Sequence, residues 1–553
     1  GRWIAGEWPI FEKINGQAVF EGMSMLIRAE SGQTLGATVT DVTAEIPSYT
    51  TEGTPLLITG KTRAPLSTMA NWVNQSPVSD MIGNPFKGSS AEGEALLELA
   101  LNIPVTKLEE TKVTGIVTLN GNKLKLENVP ELSDAHGSVT FTDKGLWGKG
   151  LTANVYGSAA SGNIDTDDKG VIRISATGMA TPSAVAKIID SPAVTSLLTH
   201  ASGSAMVNTD VEIGNGIRVN VKSDLVGIKT NAPAPFNKAA DKAWPLDFNY
   251  KPCTNRSCAS QMNLAIGDVL GMQLQYVNTT KGLKTERGVL SVGKRLNQSA
   301  SAPGLALFVN ASSLKWEDWE DILTGANSAL SSDPKRDLKT LKLNRAQVNL
   351  GRVAYKGLNF NNVNVDARSN AQTGIWRGSL SSDLARAQFA YTPRTGHSHP
   401  LVTANFDYLH IPRPDIVDQA MEAAPKETQS LPSVSLTIND LRYQDYNLGK
   451  LSLMAENEGN GPSTLWNLRQ FSLSNSDATL IANGLWNAGQ REKSSTSLEA
   501  TLDIKDLGEL LERFKLAHVI NDSGGQVHAK LGWEGAPVDF NTESLNGTIS
   551  TTL

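Results

Sequence analysis

The sequence predicts a mainly β chain: a succession of antiparallel hairpins interrupted by a few short helices. Composition is the first observation. The 553 residues are 40% hydrophobic but only 6% aromatic, include 48 glycines, and carry Thr, Ser, Val and Asn spread evenly, the profile of many strands and many turns. The second is strict alternation of apolar and polar residues from end to end, and the third is that helical spacing is confined to short stretches.

The alternating segments come in chain order. In NKLKLENV, Leu124 and Leu126 share one face while Lys123, Lys125 and Glu127 point the other way. GIRVNVKS repeats this with Ile217, Val219 and Val221, and GMQLQY with Met272, Leu274 and Tyr276. Later runs are VSLTINDL with Val434, Leu436 and Ile438, SLEATLDI with Leu498, Ala500, Leu502 and Ile504, and QVHAKLGW with Val527, Ala529, Leu531 and Trp533. Asn120-Gly121, Asn215-Gly216 and Asn546-Gly547 are expected to supply the positive φ of tight hairpins.

Helices are expected near Pro65 to Asn74, Pro182 to His200, Trp316 to Leu330, Pro414 to Ala424 and Asp506 to Phe514, several opened by an Asp, Ser or Pro that caps or pre-sets the first turn. Length alone suggests about three or four domains. The recurrence of strand block and short helix instead suggests an extended stack, with approximate blocks 1–180, 181–330 and 331–553.

The formal charge is −6, from 50 basic and 56 acidic residues interspersed without long runs, so nucleic acid is not an expected partner. No apolar run approaches the roughly 20 residues of a membrane helix, and GRWIAGEWPI has neither region of a signal peptide. The chain starts at Gly1 and stops in the strand-like GTISTTL; the expectation is a piece of a longer protein, with any anchoring helix outside it. Cys253 and Cys258, in PCTNRSCA, suit a hairpin closed by a disulfide in an oxidising compartment. The alternative is two unpaired thiols in a loop, and zinc is not expected without further ligands nearby.

The sequence advertises no catalytic constellation. There is no G-x-S-x-G, and none of the seven histidines stands in a catalytic context. His397 and His399 could share a strand face, but two ligands are too few for a metal site. GTPLLITGKT, from Gly53 to Thr62, separates its glycines by six residues where a phosphate loop needs four, so it reads as strand and turn. Asp318, Glu320 and Asp321 read as a solvated acidic face. No catalytic residue, metal or cofactor is expected, and the chain is not expected to be an enzyme.

Longer segments carry a resemblance. They are AGEWPIFEKINGQAVFEGMSMLI, NQSPVSDMIG, GEALLELALNIPV and TGIVTLNGNKLKLENVPELSDAHGSVTFTDKGL, then SDLVGIKTNAPAPFNKAADKAWPLDF in mid-chain. LPSVSLTINDLRYQDYNLGKLSL, LEATLDIKDLGELLERF and SGGQVHAKLGWEGAPVDFNTESLNGTIS follow. In number and order they resemble the YhdP branch of the AsmA-like proteins. The resemblance implies one long, twisted antiparallel sheet bent into an open hydrophobic groove, of which this chain is one continuous segment lacking the N-terminal membrane anchor and the far C-terminal end. It also implies a periplasmic protein, anchored in the inner membrane, that conducts phospholipid between inner and outer membrane. The partners are then phospholipid acyl chains, the two membranes through regions outside this chain, and other envelope proteins at the ends.

The candidate groove residues are Leu124, Leu126, Ile217, Val219, Val221, Met272, Leu274, Val434, Leu436, Ile438, Leu498, Leu502, Ile504, Val527 and Leu531. Alternation is equally what a sheet packed on a second sheet shows. The competing expectation is therefore a structural or adhesive β-solenoid or β-sandwich array of the envelope without lipid cargo.

Overall fold

The computed structural model describes residues 9–49, 54–76, 79, 88–104, 107, 110–125, 130–189, 192–253, 258–279, 282–293, 302–320, 342–394, 399–413, 432–458, 465–488, 494–516, 523–537 and 542–552. These hold 32 strands and a few short helices. The chain divides into two units, residues 1–284 with 322–336, and residues 285–321 with 337–553.

In the first unit each long strand pairs antiparallel with its neighbour in sequence, from Glu12–Glu21 and Ser24–Thr34 through to Ser260–Ile266 and Leu270–Thr279. Two short strands, Ala201–Gly203 and Ile228–Thr230, form a small sheet apart from the ladder. The second unit runs from Gly282–Gly293 to Asn546–Thr552 in the same sequential manner, and it is mixed. Gly282–Gly293 pairs parallel with Gly304–Lys315, Gly304–Lys315 with Leu343–Tyr355, and Leu401–Ile411 with Ser433–Tyr443. Parallel neighbours need a connection that returns the chain to the starting end. Two expected helical stretches lie in such connections: Trp316 to Glu320 is helical, whereas 321–330 and 414–424 lie outside the described residues.

The other expected helices are α1 (Leu66–Asn74), α2 (Pro182–Ile189), α3 (Pro192–Leu198) and α4 (Leu507–Arg513). Asp506 caps α4 by accepting a hydrogen bond from the Glu509 amide at 3.1 Å. α1 has no side-chain cap; the Leu66 amide instead donates to the Gly93 carbonyl at 2.9 Å, tying the helix to the loop before Glu94–Pro104.

Two of the three expected hairpin turns are something else. Asn120-Gly121 lies inside the strand Lys112–Lys125, where the register shifts and Gly121 has φ of +77°. Its positive φ serves a bulge rather than a turn. The fully buried Asn122 side chain stabilises that bulge, accepting from the Asn120 amide and donating to the Glu92 and Glu94 carbonyls. Asn546-Gly547 opens the last strand, paired with Gly532 and Leu531. Asn215-Gly216 does turn the chain, between Ala205–Gly214 and Gly216–Ser223. Tight turns also form at Tyr156-Gly157, where both residues have positive φ, as a type I′ hairpin requires. The phosphate-loop look-alike is the strand Pro55–Pro65.

Candidate lipid-lining face

Directly opposed residues in a ladder share a face, so partners can be followed from strand to strand. In the first unit one unbroken row runs Gly32, Val39, Thr62, Leu97, Val117, Val139, Gly148, Ile164, Ile174, Val211, Val219, Tyr250, Met262, Leu274. Two residues along the strands a parallel row runs Leu151, Gly162, Ala176, Thr209, Val221, Phe248, Leu264, Met272. Neither row contains a charged residue.

The opposite face of the same strands is polar. Ser175 donates to Asp210 at 3.0 Å, Thr177 to Asn208 at 2.9 Å and Asn263 to Asn249 at 2.9 Å, and Arg173 pairs with Asp167 and Glu212. In Ser158–Thr166 and Ile172–Ala180 the polar-face residues are exposed while the apolar-face residues are half-buried.

The second unit repeats the arrangement through its parallel joints. One row is Val292, Val309, Val348, Val365, Leu380, Ala387, Phe406, Ile438, Leu451, Leu473, Leu480, Leu502, Val527, Thr551. The next contains Ala404, Leu436, Leu453, Phe471, Ala482, Ala500, Ala529 and Ile549. A third joins Val434, Ala455, Leu468, Gly484, Leu498 and Leu531.

Aromatic residues, which the alternation alone does not single out, mark one end of these strands on the same face. Trp376 is opposite Tyr391, and Trp466 is opposite Trp486 with their rings edge-on at 5.8 Å.

The candidate residues therefore fall into place by unit. Ile217, Val219, Val221, Met272 and Leu274 share one face of the first unit, Ile217 lying opposite Ile213. Val434, Leu436, Leu498, Leu502, Val527 and Leu531 share one face of the second, where Ile504 is opposite Ala478. Ile438 is on that face too, but it is only 1% exposed, opposite the bulky Phe406 and Leu451. It is a packing residue rather than an open lining residue.

Leu124 packs against the cluster beneath α1, and Leu126 lies outside the described residues. α1 covers the apolar face locally: Leu66 and Met69 pack with Ala64, Ala95 and Leu97, and Val73 with Leu101, Ile103 and Val113.

The face offers little chemistry. Burial pushes the Tyr276 phenol above its usual range, with Tyr250 adding to the effect, so the phenol stays neutral. Buried Lys238 is satisfied by the Leu225, Ile228 and Ala239 carbonyls, a structural role. Among the described residues no cluster of three or more His, Cys, Asp or Glu could hold a metal. Of the expected histidine pair, His397 lies outside the described residues, and Asp318 of the acidic group pairs with Lys315 at 3.3 Å. Cys253 and Cys258 form a disulfide with Cα atoms 5.6 Å apart, closing the connection between Leu246–Lys251 and Ser260–Ile266. No described helix is long and apolar enough to cross a membrane.

Comparison with known proteins decides the family, since the sequence model for the YhdP protein matches residues 4–553. The chain belongs to the YhdP family. A curated relative is the intermembrane phospholipid transporter YhdP of Escherichia coli (strain K12), 21% identical over 252 residues. That match covers 44% of this chain and 19% of the relative. The chain thus spans about a fifth of that relative's length.

Proposed function

We propose that the apolar face of each unit shelters phospholipid acyl chains in transit between inner and outer membrane, within a periplasmic protein anchored in the inner membrane by a region outside this chain. One observation carries the reading: a row of apolar residues, ending in Thr551, crosses every long strand of the second unit without a charged side chain. Most of those residues stay half-exposed instead of closing into a core.

The physical case is the cost of wet hydrocarbon. At about 0.8 kcal/mol per methylene, two chains of roughly sixteen carbons cost on the order of 25 kcal/mol in water. A face of Leu, Val, Ile and Ala removes that cost without fixing the lipid, because it offers no polar partner at which a chain would stop. The disulfide accords with an oxidising compartment, and the relative's name supplies the cargo.

Photocrosslinking in cells tests this. Val219 and Leu436 are expected to label phospholipid, and their neighbours Asn220 and Thr437, on the opposite face, are not. Equal labelling on both faces, or a purified chain from which no phospholipid is recovered, would favour the lipid-free structural array.

A further inference from the structure

Three arginines stand side by side on the polar face of the second unit. Arg345 is the direct partner of Arg368 across Leu343–Tyr355 and Leu358–Ser369, and Arg368 is the direct partner of Arg377 in Trp376–Ser381. Directly opposed residues have Cβ atoms roughly 5 Å apart, and like charges there repel.

The local compensation is thin. Asp366 stands 3.6 Å from Arg345 and 3.7 Å from Arg368, longer than good hydrogen bonds. Arg377 has no acidic partner among the described residues. Arg345 lies with its guanidinium carbon 5.3 Å from the Phe308 ring centroid, and its buried Nε has no hydrogen-bond partner. Three planar cations thus face one carboxylate, with donors to spare.

Their position supplies the second argument. Arg345 is the third residue of its strand, Arg368 the next to last and Arg377 the second, so all three lie at one rim of the sheet. Trp376 and Tyr391, opposed on the apolar face at that same rim, put amphipathic rings beside them. Aromatic rings inside and guanidinium groups outside one edge reproduce the layering of a lipid–water interface, with hydrocarbon on one side and phosphate on the other.

We infer that Arg345, Arg368 and Arg377 form a phosphate-binding row that holds the headgroup of a phospholipid at the rim while its chains lie on the apolar face. This rests on the reading of that face as lipid-lining. Guanidinium is suited to the role because its fork meets phosphate oxygens in pairs, and bound anion relieves the repulsion within the row.

The test compares the full chain with the R368Q/R377Q variant in binding dihexanoyl phosphatidylglycerol, dihexanoylglycerol and inorganic phosphate. The unmodified chain is expected to bind the phospholipid about tenfold more tightly than the phosphate-free diacylglycerol. The variant loses that preference and keeps its affinity for the diacylglycerol. Its thermal midpoint in chloride should equal or exceed that of the unmodified chain, since repulsion has been removed, which excludes misfolding as the cause.

Unchanged phospholipid preference in the folded variant overturns the arginine row and leaves the lining intact. Failure of the unmodified chain to bind either lipid overturns the lining reading beneath it. Inorganic phosphate bound in the row without any preference for phospholipid assigns the site to the free anion and overturns the headgroup.

Discussion

Two stretches of the first unit carry the same alternating pattern and end in different states. Under α1, Leu97, Leu101 and Val113 form a closed core, with Val113 fully buried. Further along the same rows, Ile164, Ile174 and Val211 point to the same face and stay half-exposed. Alternation determines which face is apolar; whether that face becomes core or lining depends on what covers it.

The sharpest way to break the comparison is to place a charge in each stretch. Val113→Asp buries an unpaired carboxylate and is expected to cost at least about 4 kcal/mol, seen as loss of the cooperative unfolding transition. Ile174→Asp should leave that transition nearly in place while abolishing lipid crosslinking from Val219. Similar unfolding losses in both variants would mean that the two stretches are equally packed. Truncation gives a graded version: Leu101→Ala should lose about 2 to 5 kcal/mol in denaturant titration, against about 1 kcal/mol for Ile174→Ala.

Further along the first unit a disulfide closes the connection between Leu246–Lys251 and Ser260–Ile266. Cys253 and Cys258 are separated by 5 in sequence, and loop-closure entropy for so short a loop gives about 2 kcal/mol. Cys253→Ser should lower stability by that amount, and reductant added to the unmodified chain should have the same effect. No response to reductant would show that the hairpin is held by its strands alone.

A further modest effect concerns a helix that covers little. α1 buries Leu66, Met69 and Val73, whereas α4 buries only Gly508. α4 is fastened by its last residue: Arg513 donates to Asp477 and to Ser476, and Ser476 donates to Asp477. The Arg513 hydrogen bond holds the Asp477 carboxyl below the usual carboxylate range, outweighing the opposing effect of burial.

A depressed native pKa means that this stabilisation is complete above the ordinary carboxylate pKa of about 4 and is lost as pH falls through the native value. Arg513→Ala should therefore cost about 1 to 2 kcal/mol at neutral pH. The gap from the unmodified chain should close in strong acid; a gap that persists there would assign the effect to packing.

Much of this was legible in the sequence because a two-residue period requires only neighbours. Val219, Val221, Leu436 and Leu498 sit on the face that their own strands predict. Features set by register were not legible. Asn120-Gly121 has the composition of a hairpin turn, yet Asn122 anchors it as a bulge through partners some thirty residues away. The parallel joints depend on where long connections lead, and LSTMANWVN shows helical spacing without showing that it will lie over Leu97 and Leu101. Arg345, Arg368 and Arg377 are unremarkable in sequence and become neighbours only once three strands are aligned.

The sequential pairing of strands also bears on how the molecule forms. Each long strand meets a partner only one connection away, and links such as Tyr156-Gly157 are as short as a hairpin permits. Closing such small loops takes far less chain entropy than joining distant segments, so between antiparallel neighbours the zipper can advance one hairpin at a time. Assembly can then keep pace with a chain that emerges from its N-terminal end, each finished strand serving as template for the next.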